Sequence, residues 1–242
     1  MFKIFVKVIF LMVVFEFNFS NLFSQTHEIG LQLGAMNYKG ELAPIINYRE
    51  TGQGWGVFYR ANVSKAMSLR LNGLFGTIEG DDKNSTSNFA LERNHKFRTN
   101  LWEVSAVAEY NFLNFRNEGR KKNERKQKFT PYLSAGVGYM QFVPMFNATP
   151  TYSTYSVIIP LGVGMKWAVS KQINLGFEFV ARTTFTSSLD DLGLKTNKNQ
   201  TQNNNPKYYT GNPNSNDRYF FTCLTLSYLI KDKGKDCPVI VE

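Results

Sequence analysis

The chain has two cysteines and two histidines among its 242 residues. Neither histidine has a second ligand at metal spacing, so a metal centre is not expected. Long apolar runs are scarce as well. The longest, Ile4 to Phe15, falls short of the ~20 residues that a membrane-spanning helix requires, and no later stretch comes closer. No helical period runs between the polar and apolar positions. The Gly-Val-Gly pairs at Gly136/Gly138 and Gly162/Gly164 lack the third glycine and the following helix that a phosphate-binding loop needs. They read instead as small residues that face a crowded interior or ease strand curvature. No cofactor and no nucleic acid is expected, since a net charge of +9 does not by itself imply either.

What the sequence has is a two-beat alternation that returns about eight times. It is clearest where Trp55, Val57, Tyr59, Ala61 and Val63 alternate with Gly56, Phe58, Arg60 and Asn62. Successive strand side chains point to opposite faces, so this repetition predicts one sheet with an apolar and a polar side. The expected strands are 27–38, 55–63, one through Leu69 to Phe75, 101–112, 132–141, 155–167, 173–185 and 219–230, the parity of the last left open. In front of them, Lys3 and Lys7, the apolar run and a small-residue stretch from Ser20 to Gln25 read as a secretory leader cut after Ser24. An exported chain without a spanning helix can cross a membrane only as a closed barrel. The prediction is an all-β, eight-stranded antiparallel up-and-down transmembrane barrel, with residues 1–24 as signal peptide, 25–230 as barrel and 231–242 as a periplasmic tail.

The connections sort by length. Ser64-Lys65 and Ser170-Lys171-Gln172 are tight, whereas 39–53, 80–97, 144–154 and 186–217 are long and polar, the last with an Asn-rich stretch from Asn197 to Asn216. Short turns of outer-membrane barrels face the periplasm and long loops face outward. Two aromatic girdles follow: Tyr38, Trp55, Tyr155, Phe185 and Tyr219 toward the outer rim, and Tyr110, Phe112, Trp167 and Tyr228 toward the inner one. Glu28, Glu103, Glu109 and Glu178 are expected inside, paired with Arg60, Arg70, Lys166 and Arg182, because a barrel of eight strands is just wide enough to be filled by side chains.

One connection breaks the length rule. Residues 113–128 should be a periplasmic turn, yet they carry Arg116, Arg120, Lys121, Lys122, Arg125, Lys126 and Lys128 against only Glu118 and Glu124. Such a run is either a solvated loop or a docking surface for an acidic periplasmic partner. His27 and His95 read as solvent-exposed structural residues; a catalytic pairing of His95 with Ser85 or Ser87 in one loop would be poorly held. Cys223 lies in a strand and Cys237 in the tail, so no disulfide is expected between them. Cys237 is either idle or paired with another chain.

The start His27-Glu28-Ile29-Gly30 running on to Tyr38-Lys39-Gly40-Glu41-Leu42, the segment from Pro131 to Gly138 and the close from Asp217 to Tyr228 resemble the PorG-type outer-membrane barrels of Bacteroidetes. That resemblance implies a non-enzymatic barrel associated with type IX secretion, anchoring a periplasmic ring of a lipoprotein and its partner. The alternatives are a surface-contact or small-pore barrel, a lipid-modifying barrel enzyme, and a soluble lipocalin-like barrel with its apolar face inward.

Overall fold

A computed structural model of the chain describes residues 26–39, 50–64, 66–84, 88–93, 95–113, 115, 128–145, 154–190 and 216–230. The leader, the tail with Cys237 and residues 116–127 lie outside them. Eight strands, β1 (Thr26–Lys39), β2 (Thr51–Asn62), β3 (Met67–Asp81), β4 (Lys96–Asn111), β5 (Phe129–Pro144), β6 (Tyr155–Ala168), β7 (Ile173–Thr184) and β8 (Arg218–Ile230), follow one another around the sheet. Each pairs antiparallel with its sequence neighbour, and β1 pairs with β8 from His27↔Ile230 to Lys39↔Arg218. Closure leaves no sheet edge, the condition for strands to satisfy their backbone groups without water.

Alternation sets the two surfaces. In β2 every second residue from Gly52 to Arg60 is buried and every other one exposed. Leu33 keeps 70% of its surface exposed and Val137 62%, and exposed large apolar side chains recur along the outward positions of all eight strands. Soluble monomers rarely expose contiguous apolar patches beyond a few hundred Å². A lipocalin-like arrangement, with its apolar side turned inward, is therefore not the one adopted.

The aromatic belts need one correction. Trp55, Tyr155 and Phe185 near the loop end, and Tyr110, Phe112, Trp167 and Tyr228 near the turn end, do face outward. Tyr38 and Tyr219 do not; they are buried inside the barrel. Parity explains it. Tyr38 shares its face with Glu28 and Gln32, and Tyr219 lies nine residues from outward-facing Tyr228, so it must point the other way.

The hairpin of β3 and β4 also differs from expectation. These strands stay paired out to Asp81↔Lys96, past the expected strand ends near Phe75 and Leu101 and just inside the 80–97 connection. The tip carries a short 3₁₀ turn (Asp82–Asn84) and a helix, α1 (Asn88–Arg93). Strands of ~9–11 residues suffice to cross a bilayer, so these two, at 15 and 16 residues, project beyond the apolar belt. Their outward residues turn polar there, with Arg98 Nε 3.0 Å from Glu79 Oε1.

Candidate functional site

The lumen is filled, and its half nearer the short turns is filled with charge. Glu109 on β4 takes three cations: Arg60 Nε from β2 at 3.0 Å, Arg70 Nη1 from β3 at 3.0 Å and Lys166 Nζ from β6 at 2.5 Å. Glu28 on β1 accepts from Arg60 Nη1 at 2.8 Å, Asn62 Nδ2 at 2.9 Å, Asn174 Nδ2 at 3.1 Å and Ser227 Oγ at 2.8 Å. Glu178 on β7 accepts from Arg70 and from the Tyr132 hydroxyl. With Tyr132 from β5 and Ser227 from β8, every strand contributes to this network.

A second knot sits deeper. Glu103 accepts from Arg182 Nε at 2.6 Å, from the Tyr219 hydroxyl at 2.8 Å and from Ser105 Oγ at 2.8 Å. Gln32 and Asn72 extend the chain to Ser105. The guanidinium of Arg60 also lies 4.7 Å from the Phe58 ring centre, and the Lys166 ammonium 4.3 Å from that of Tyr132, contacts that strengthen where water is excluded. All four predicted carboxylates meet the four predicted cations, as expected of a bore this narrow. Buried ions are tolerable only when paired and hydrogen-bonded, and here they are.

The loop half of the bore is apolar, which the alternation did not reveal. Met36, Leu74, Ile78, Leu101, Met140, Phe142, Ile158 and Phe221 pack there with Tyr38 and Tyr219. Above them, residues 186–190, expected to be part of an outer loop, fold into the mouth and bury Leu189 completely. The Leu189 carbonyl accepts from Thr99 Oγ1 at 2.9 Å, and its N–H donates to Asp217 Oδ2 at 3.0 Å. The Tyr38 hydroxyl stands 2.6 Å from Asp217 Oδ1 and 3.1 Å from Asp190 Oδ2.

His95 belongs to this closure. Expected in solvent, it is fully buried. Its backbone N–H donates to Asp82 Oδ2 at 2.9 Å, and its Nε2 lies 2.9 Å from the Asp190 carbonyl, an acceptor that obliges the ring nitrogen to donate. Ser85 and Ser87 lie outside the described residues. His27 is half-buried at the turn end, stacked on Tyr59 with its Nδ1 2.6 Å from the phenol oxygen.

The glycine pairs face the lumen as predicted. A Cβ on Gly164 would stand 2.5 Å from Cζ of Tyr132, and one on Gly136 2.2 Å from the Ala106 carbonyl. Any side chain at Gly164 would push away the tyrosine that holds Glu178. Cys223 is a free, buried thiol pointing inward toward Glu178.

Of the candidate partner-binding residues, Arg116, Arg120, Lys121, Lys122, Arg125 and Lys126 lie outside the described residues. Lys128, just before β5, is exposed, and its carbonyl accepts the Ala168 N–H at 2.7 Å. Asn111, which ends β4, and Phe129, which opens β5, lie at the same end of the barrel as Thr26 and Ile230.

A closed eight-stranded barrel with an apolar exterior and a polar, side-chain-filled bore is the architecture of the small outer-membrane barrels. The chain belongs to the family described as a domain of unknown function, DUF6089, whose model matches residues 3–239. No curated protein matches the sequence. Among solved structures it is similar to Neisserial surface protein A, at 10% identity and a TM-score of 0.49 over 84% of this chain and 96% of that one. It is also similar to the N-terminal barrel domain of Pseudomonas aeruginosa OprF, at 11% identity and a TM-score of 0.42 over 84% and 97%. A third is Ail of Yersinia pestis, at 12% identity and a TM-score of 0.39 over 85% and 97%. None of these likenesses bears on what the chain does.

Proposed function

We propose that this protein is a non-enzymatic outer-membrane barrel that anchors a periplasmic ring of the type IX secretion machinery, formed by a lipoprotein and its partner. The observation that carries the proposal is the connection between β4 and β5. Its seven basic residues fall in the sequence between β4 and β5, whose facing ends lie at the short-turn end of a barrel whose bore is filled, so a working surface is sought at the rims. The resemblance to PorG-type barrels supplies the partner, and the apolar exterior supplies the membrane.

A surface assembled from Arg and Lys recognises acidic partners through charge and is read most directly by reversing the charge. Replacing Arg120, Lys121, Lys122 and Arg125 by Glu should reduce co-purification of the ring by about tenfold or more, as expected for the loss of several rim attractions and their replacement by repulsion. The barrel should remain heat-modifiable on a gel. Undiminished capture of the ring would place the docking surface elsewhere.

A second reading, contact with molecules outside the cell, draws on the projecting β3–β4 hairpin. Shortening that hairpin to a tight turn at Thr77–Asn100 separates the two. The anchor predicts unchanged protein secretion, and the surface-contact reading predicts loss of function with ring capture intact.

A further inference from the structure

Along the strands, outward-facing charge is rare and confined to one end. Along all eight strands the outward positions hold six charged residues: Lys39, Glu79, Asp81, Lys96, Arg98 and Arg218. All six lie at the loop end, just past the apolar belt. Four of them are matched by register, Glu79 opposite Arg98 and Asp81 opposite Lys96. The remaining two, Lys39 and Arg218, are directly opposite one another across the β1–β8 seam.

That is a like-charge cross-strand pair, with Cβ atoms about 5 Å apart in such positions, and it is destabilising unless something negative lies between. Both side chains are exposed, and neither makes an ion pair with a described residue. Among the described residues the acids nearest in sequence are occupied: Asp217 turns inward to Tyr38 and Leu189, and Glu50 has contacts of its own; Glu41 lies outside the described residues. Below the pair, positions of the same parity pass through Asn37, which is buried, and through Ala35, Phe220 and Thr222 to Leu33 and Leu224, reaching hydrocarbon-like side chains at the third such position on each strand.

The geometry points to a binding site at Lys39 and Arg218 for the phosphate of an outer-leaflet lipid headgroup. Arg presents a planar fork suited to phosphate, and Lys adds a point charge. The acyl chains of the same lipid would lie along the apolar face that continues beneath. An anion held here relieves the repulsion across the seam that closes the barrel, so bound lipid should also stabilise the fold. This inference rests on the outer-membrane placement but is independent of what the short-turn end binds.

The test compares wild type with the double variant Lys39→Gln/Arg218→Gln, purified in neutral detergent. Each is incubated with diphosphoryl lipid A, with its dephosphorylated form, or with inorganic phosphate at equal concentration. Wild type should retain diphosphoryl lipid A about tenfold better than the variant, as expected for the loss of two charge-assisted contacts. Its unfolding midpoint should rise with that lipid only. The variant should be at least as stable as wild type in detergent alone, and Lys96→Gln/Arg98→Gln should retain lipid like wild type. Equal retention by wild type and the seam variant overturns the site, as does an equal rise with inorganic phosphate or with dephosphorylated lipid. A wild-type protein that stays dispersed without detergent would instead remove the membrane placement itself.

Discussion

Glu109→Ala is expected to lower the stability of the folded barrel by about 3–5 kcal/mol, the range measured when one member of a buried ion network is removed. The size follows from the geometry. Among the described residues Glu109 is the only carboxylate within ion-pair distance of Lys166, at 2.5 Å, and it also serves Arg60 and Arg70. Removing it leaves three cations in a bore that admits little water. Arg60 retains Glu28 and Arg70 retains Glu178, so most of the loss should arise at Lys166. The double variant Glu109→Gln/Lys166→Met should therefore recover much of what Glu109→Gln loses, a coupling that distant sites do not show. Urea unfolding in lipid vesicles, followed by the heat-modifiable gel band, measures both. A Glu109→Ala barrel as stable as wild type would mean that the bore is wet and its charges are not mutually required.

A charge on the opposite surface should be nearly as costly. Leu71 lies midway along the outward apolar part of β3, flanked in register by Tyr59 and Ala106. Arg at the midplane of a barrel's lipid face costs about 2–4 kcal/mol, falling to about 0–1 near the interface. Leu71→Arg should thus destabilise strongly in vesicles, and Thr77→Arg, on the same face of the same strand but beyond the belt, should have little effect. The contrast with Glu109 is informative: one face rejects a charge gained, the other a charge lost. If Leu71→Arg and Thr77→Arg behaved alike, the outward face would be solvated along its whole length.

Most of this arrangement was legible because strands have a period of two and the bore is narrow. Once Trp55, Val57 and Tyr59 are assigned outward, Arg60 has to point inward, and the same parity brings Glu28, Glu109 and Glu178 to meet it. Aromatic residues obey no such rule, since they suit both a lipid belt and a packed interior. Tyr38 and Tyr219 were drawn to the belt by residue type, although parity alone places them with Met36 and Phe221. The length of the β3–β4 hairpin was hidden because its strands become polar on the outward face where they leave the apolar belt, which in sequence resembles a loop. The closure of the mouth had no signal at all. Leu189 and Asp190 stand in a polar stretch without period, and their burial depends on partners as distant in sequence as Tyr38, His95 and Thr99. The register that sets Lys39 against Arg218 likewise exists only once the barrel closes.

The three tryptophans provide the most direct test of the central claim, that the apolar face is turned to lipid around a filled bore. Trp55, Trp102 and Trp167 all face outward, and they are all the tryptophans in the chain. Reconstituted in vesicles whose acyl chains carry bromine, the protein should lose most of its tryptophan fluorescence, while aqueous iodide should quench it weakly. Strong quenching by iodide with no response to the brominated chains would contradict the account.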